Sequence, residues 1–333
     1  MTADMEGLGR IRRRNFLASA GLLGLVGPRV WAKEPYPDRP ITMVVPYTAG
    51  GSTDLVARLI TQKMGEGLKQ AFVVDNKAGA NGIIGMEAAL RAKADGYTLL
   101  MNTAGAQTLA PLIYKTRVDG INDWMPISLI STIPFALVVK NDLPVKNFQE
   151  FVQRAKQTDQ PLTASSGSSM IVLITEALKS ALAAPHIINA QYKGTALQAQ
   201  AVIKGEVDFS VDSMVTLPQI KAGRVRALAV FGDHRVASLP DVPTLKELGI
   251  PGMNFNSWSA MLAPKGTPQE IVDLLEAEAR RVVQLPEMQA RLTSMDHMPI
   301  GSTAKELEKI IRDDIERWKG VVKATNFKID GSG

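Results

Sequence analysis

Cysteine is absent from the 333 residues, so no disulfide, thiolate nucleophile, iron–sulfur cluster or cysteine-bound zinc can form. Histidine is scarce: His186, His234 and His297 lie on separate segments with no i,i+4 partner, and no metal-ligand cluster stands out. A lone histidine is more often a surface or satisfied core residue than a catalytic one. Aromatics make up 5% of the chain, too few for a base-stacking nucleic-acid surface. Neither a G-x-S-x-G nucleophile elbow nor a G-x-x-x-x-G-K-[ST] phosphate loop occurs. The glycines of 79–85 are spaced G-x-x-G-x-x-G and fail the dinucleotide fingerprint. They read as a loop and helix start, and no cofactor or metal is expected.

Positive charge is also scarce where it would matter. The net charge is +5, but Arg10, Arg12, Arg13, Arg14 and Arg29 crowd the first 32 residues against Asp4 and Glu6. The body is close to neutral and carries no nucleic-acid footprint. Ala18 to Pro28 is uncharged and too short to span ~30 Å of hydrocarbon as a helix. A basic stretch, this apolar run and the small residue Ala32 together read as an export signal over 1–32, removed near Ala32. Arg13-Arg14-Asn15-Phe16-Leu17 resembles the twin-arginine motif, which implies a periplasmic product.

What is present is alternation. Apolar runs at 41–46, 71–75 and 97–102 read as strands buried on both faces, each followed by a small-residue loop and helical periodicity. Ser52 or Thr53 is expected to cap the first helix, and Ile83–Lys93 to form the second. A second unit repeats the style, with strands expected near 135–140, 162–165, 187–191, 207–211 and 226–231. The chain returns to the first unit near 257–262, Pro268 is expected at the first position of a helix, and Thr303-x-x-Glu306 is a capping box. Repeated β–loop–α order predicts parallel sheets with crossover helices, an α/β fold in two similar units.

The loops at 47–54, 102–106, 165–169, 192–195 and 212–213 follow strands and are rich in Gly, Ser, Thr and Ala. In open parallel sheets such loops gather at the carboxyl edge, where ligands bind. Small side chains expose backbone N–H groups, and helix N-termini add ~+0.5 of a charge. The set favours a small anion, above all a carboxylate. Lys193 is the only cation in these loops, so a bidentate arginine clamp is not expected.

Tyr36-Pro37-Asp38-Arg39-Pro40-Ile41 and Val44-Val45-Pro46-Tyr47-Thr48-Ala49-Gly50-Gly51-Ser52-Thr53-Asp54 resemble the opening of the Bug-type receptors. These are periplasmic solute-binding proteins of tripartite tricarboxylate transport systems. Asp75-Asn76-Lys77, Ala94 to Leu100, Tyr192-Lys193-Gly194, Gly205 to Asp208, Ile220 to Val230, Leu239 to Thr244, Trp258 and Leu262 to Pro268 continue the likeness through 36–325. The resemblance implies a two-lobed, type II periplasmic binding protein. Each lobe is a mostly parallel sheet flanked by helices, with two crossing strands as hinge, 33–136 plus 258–333 forming lobe 1 and 137–257 lobe 2. Carried over by position, ligand contacts would come from Tyr47, Thr48, Ala49, Gly51, Ser52, Asp54, Thr103, Ala104 and Ala106 in lobe 1. Lobe 2 would add Ser165, Ser166, Gly167, Ser168, Thr195 and Asp212, with Asp54 capping its own helix. The implied ligand is a di- or tricarboxylate, an acidic amino acid or an aromatic acid. The implied partners are membrane permease subunits or a sensor kinase, served by a monomer. One departure is clear: the second-lobe loop usually reads like S-x-G-x-G-(S/T)-x-x-H, whereas Ala164–Val172 is shorter and lacks the His. Thr195 also stands where Gly or Ala is common.

A receptor explains the export signal, the two similar units, the anion-friendly loops and the missing catalytic groups. A periplasmic hydrolase using a serine of 165–169 is the rival, but it needs a base within hydrogen-bond reach. No His lies in any loop read as forming the cleft. A ligand-sensing partner of a membrane kinase is the third reading.

Overall fold

The computed structural model describes residues 36–325, and the architecture belongs to one compact unit beginning at Arg39. The export signal read from 1–32 lies outside the described residues. β1 (Ile41–Val45), α1 (Ser52–Leu68), β2 (Phe72–Asn76), α2 (Ile83–Leu90), β3 (Thr98–Thr103), α3 (Ala110–Ile113) and β4 (Trp124–Pro134) come first. A tight 3-10 turn at Ala80–Gly82 precedes α2, and a π-helical segment at Gly105–Leu109 precedes α3. Next are β5 (Ala136–Lys140), α4 (Phe148–Ala155), β6 (Thr163–Ser166), α5 (Ser169–Ala181), β7 (Ile188–Gln191), α6 (Thr195–Ile203), β8 (Phe209–Asp212), α7 (Leu217–Lys221) and β9 (Val225–Val230). β10 (Asn256–Pro264), α8 (Gln269–Val283), α9 (Pro286–Ser294), β11 (Met298–Pro299) and α10 (Ala304–Thr325) complete the chain.

Two sheets result, in the orders β11-β4-β10-β3-β1-β2 and β7-β6-β8-β5-β9. The parallel core of each is as expected: β1 pairs with β2 and β3, and β6 with β7 and β8. The sheets are nonetheless mixed rather than mostly parallel. β10 runs antiparallel to β3 and β4, β11 to β4, and β5 to β8 and β9. The reason is connectivity: β4 and β5 are separated only by Phe135, so the chain leaves one sheet and enters the other without a crossover helix to reverse it.

β4, β11 and α9 were not anticipated. β4 carries Pro126, which breaks the apolar run, yet Pro126 sits beside a register shift in the β10 pairing, where a missing N–H is tolerated. Two caps also differ from expectation. Gly51, not Ser52 or Thr53, is the N-cap of α1, and Pro268 is the N-cap of α8 rather than its first residue. The first-position proline belongs to α9, at Pro286. The capping box holds: Thr303 Oγ1 accepts from the Glu306 N–H, and Glu306 Oε2 accepts from the Thr303 N–H at 2.8 Å.

Each sheet has its own core, and α10 reaches both. Its Leu307, Ile311 and Ile315 pack with Trp124, Trp258 and Leu100 of the first sheet. One turn later Trp318 packs among Phe148, Phe209 and Leu173 of the second, its ring centred 5.0 Å from that of Phe255. The crossing strands are therefore supplemented by a helix that straddles the two cores.

Candidate functional site

A cavity of about 190 Å³ lies between loops of the two sheets. Of the residues expected at a ligand, Tyr47, Thr103, Ala106 and Ser168 line it. Asn81, Gly105, Leu109, Ala110, Ile113 and Tyr114 complete the first-sheet wall. Ser169 and Met170, at the start of α5, and Ser257 of β10 face them. A larger open groove of about 700 Å³, between Glu87–Arg91 and Lys115–Val118, has no wall from the second sheet.

The first-sheet loop is held at both ends. Tyr47 Oη and Thr103 Oγ1 lie 2.5 Å apart, and burial raises the tyrosine pKa despite this bond. Thr48, Ala49 and Ser52 are exposed, and Gly51 is half-buried with its N–H donating to the Thr48 carbonyl. Asp54 is buried and faces inward. Its Oδ2 accepts from the Gly50 N–H at 2.8 Å and Arg58 Nε at 2.9 Å, and its Oδ1 from Asn76 Nδ2 at 2.9 Å. Desolvation pushes its pKa up, but the bonds from Arg58, Gly50 and Asn76 together prevail and lower it. Asp54 thus ties the loop to β2 and, contrary to expectation, does not cap α1.

The exposed Ser52 has an unforeseen partner. Its Oγ lies 2.8 Å from His297 Nε2, while His297 Nδ1 lies 2.8 Å from Ser131 Oγ of β4. No histidine lies in the loops read as forming the cleft, but His297 reaches one of them from outside. It arrives from 245 positions away, between α9 and β11, two elements that pattern alone had not revealed. Burial lowers its pKa to about 4, so the ring is neutral at ordinary pH, donating through one nitrogen and accepting through the other.

The second-sheet loop is organised by one neutral amide. Gln198 of α6 accepts from the Gly167 N–H at 2.7 Å and donates to Ser210 Oγ at 2.6 Å and the Val211 carbonyl at 2.7 Å. Ser165 Oγ donates to the Gln198 carbonyl, and Ser166 Oγ donates to Asn189 Oδ1 at 2.7 Å. Both hydroxyls are buried and committed to the fold. Gly167 packs so closely on the next loop that a Cβ there would lie 2.5 Å from the Gly194 carbonyl oxygen. Ser168 is the N-cap of α5, accepting from the Ile171 N–H, and with Ser169 it lines the cavity wall. Thr195 opens α6, and Ala104 is buried at the N-cap of the π-helical segment.

Asp212 ends β8 and is fully buried. Its Oδ2 accepts from Thr216 N–H and Oγ1 at 2.9 and 2.8 Å, but its Oδ1 has no partner among the described residues. Desolvation outweighs the Thr216 bonds and raises its pKa.

The site is thus a small cavity with hydroxyls, helix-start amides and an apolar flank. Ser165 and Ser166 are bonded to Gln198 and Asn189, not to a base. His297 faces a serine on its far side where a catalytic histidine would have a carboxylate.

Comparison with known proteins agrees. The signature of the tripartite tricarboxylate transporter family receptors matches residues 56–327. Protein BugT of Bordetella pertussis is 32% identical over 323 residues, covering 94% of this chain and 96% of its own. The R. palustris protein Rpa4515, solved with adipate, is 32% identical with a TM-score of 0.74, covering 87% of this chain and 98% of its own. MatC (Rpa3494) from Rhodopseudomonas palustris, solved with bound malate, is 30% identical with a TM-score of 0.71, covering 86% and 100%.

Proposed function

The chain belongs to the tripartite tricarboxylate transporter receptor family, and on that premise we propose that it is a periplasmic receptor for a small carboxylate, delivering it to membrane permease subunits. The family is one of solute-binding proteins, not enzymes. The observation that carries the reading is the cavity itself: loops of both sheets supply its walls, so a ligand held there touches both lobes at once. Adipate and malate in two relatives support a carboxylate. In this chain the oxygens would be met by Thr103 and Ser168 hydroxyls and by the first amides of α5, which have no intrahelical acceptor.

The two lobes are taken to move about the crossing strands, with ligand favouring the closed arrangement. A melting screen over mono-, di- and tricarboxylates identifies the ligand, since binding stabilises the folded state by RT ln(1 + [L]/Kd). Small-angle scattering should then show a smaller radius of gyration with that acid. Scattering curves identical with and without an acid proven to bind would remove the closing receptor.

A further inference from the structure

The open groove of about 700 Å³ is built from the continuation of two segments that wall the ligand cavity. One segment meets the cavity at Asn81, runs through α2 and reaches the groove at Glu87, Leu90 and Arg91. The other lines the cavity with Ile113 and Tyr114 and the groove with Lys115–Val118. At the cavity a hydrogen bond from Asn81 Nδ2 to Tyr114 Oη ties the two together. α2 has 8 residues, about 12 Å of helix between cavity and groove.

The groove is basic. It holds Arg91, Lys115 and Arg117 against one carboxylate, Glu87, which lies 3.7 Å from Arg91. Lys115 and Arg117 are exposed and have no carboxylate partner among the described residues. Arg281, Arg312 and Lys319 show the contrast, each paired with a glutamate on its own helix. Asp119, the next acid along the chain, accepts from the Ile121 and Asn122 N–H groups and is drawn to Lys319. It does not neutralise the groove. Leu90 and Val118 add apolar surface and are backed by the first-sheet core. Arginine takes a carboxylate in a two-bond fork, and lysine adds a point charge. The second sheet gives no wall, so an occupant leaves the lobes free to move.

We propose that this groove is the docking surface for an acidic, partly apolar segment of the membrane permease that receives the ligand. The proposal rests on the receptor reading of the chain and adds where the permease sits. Opposite charge speeds such an encounter and sets its register.

The test replaces Thr116 with photoreactive p-benzoylphenylalanine in the full chain, produced in its own host cells without the unmodified copy. The same group at exposed Lys156 of α4 is the control. Illumination should join position 116, and not position 156, to an integral membrane protein through a peptide rich in Asp and Glu. Lys115→Glu with Arg117→Glu should cut that adduct about tenfold, since attraction becomes repulsion. The same double variant should keep whatever melting shifts malate, adipate and citrate give the unaltered chain. No membrane-protein adduct, an equal one from position 156, or one that survives charge reversal overturns the proposal. So does a cross-linked peptide without Asp or Glu, or a second copy of this chain as the captured protein. The receptor reading is judged separately, by the melting shifts, and stands if they persist while the adduct fails. If the double variant loses those shifts, the groove serves the ligand site and the docking proposal falls.

Discussion

Two buried aspartates, one beside each sheet, are both pushed up by burial yet end with opposite pKa shifts. Asp54 and Asp212 are 1% and 0% exposed. Asp54 gathers a guanidinium, an amide side chain and a backbone N–H, and its pKa falls. Asp212 gathers two donors from one residue, Thr216, leaves Oδ1 without a partner among the described residues, and its pKa rises. The difference shows that the first-sheet loop is fixed by a satisfied charge. The second-sheet loops are fixed by the neutral Gln198 amide and carry an uncompensated carboxylate alongside. Their pH signatures must oppose each other. A depressed folded pKa contributes stability above the unfolded value of about 3.9, lost as pH falls through the lower folded value. A raised folded pKa does the reverse, and stability declines as pH climbs from about 3.9 through the folded value.

Removing the satisfied charge should have the largest effect. Asp54→Ala strands Arg58, Asn76 and the Gly50 N–H, and Arg58 is half-exposed, which softens the loss. We expect about 2–4 kcal/mol less stability at pH 7 by urea unfolding. A loss well under 1 kcal/mol would mean that the network does not hold the loop.

His297 adds a third titration to the first-sheet side. The unfolded chain takes up a proton near pH 6.5, which the folded ring refuses until about pH 4. Stability should therefore fall as pH drops through that window, by up to about 3 kcal/mol. His297→Gln can still bond Ser52 and Ser131 but cannot titrate, so its stability should be flatter from pH 6.5 to 4.5. Parallel curves for variant and wild type would show that the imidazole is reached by water in the native state.

Asp212→Asn should be milder and opposite in sign. It keeps an acceptor for Thr216 and removes the unpaired charge, so we expect about 1 kcal/mol of added stability at pH 8, shrinking towards pH 4. Lower stability at pH 8 would reveal a hidden counter-charge.

The sequence made the parallel strands, their loops and the neutral character of the site legible, because apolar runs ended by Gly and Ser loops are local signals. β4 was illegible because its prolines mask a strand whose burial comes from β10 and β11 on either side. Of the residues the resemblance implies, Tyr47, Thr103, Ala106 and Ser168 lie on the wall of the cavity. Asn81 and Met170 were missed for different reasons. Asn81 stands in a glycine-rich turn at φ 49°, a backbone region Asn tolerates, and the turn was read only as a helix start. Met170 has the spacing of a core helix residue, and only the approach of the first sheet shows that it faces a cavity. His297 had no local signal at all.

The smallest effect separates two serines three residues apart. Position along the chain makes Ser165 and Ser168 equal candidates for the ligand, but their hydrogen bonds do not. Ser165 Oγ is buried and donates to the Gln198 carbonyl, so Ser165→Ala should cost about 1 kcal/mol of stability and leave affinity within threefold. Ser168 faces the cavity and caps α5 through a long bond of 3.3 Å. Glycine is itself a fair N-cap, so Ser168→Gly should cost only a few tenths of a kcal/mol in stability. Losing a hydroxyl bond to a carboxylate should weaken the tightest-binding acid of the melting screen about tenfold. Titration calorimetry on both variants reads the split. If Ser165→Ala weakens binding as much as Ser168→Gly, the loop acts as one unit, and the contrast between committed and available hydroxyls fails.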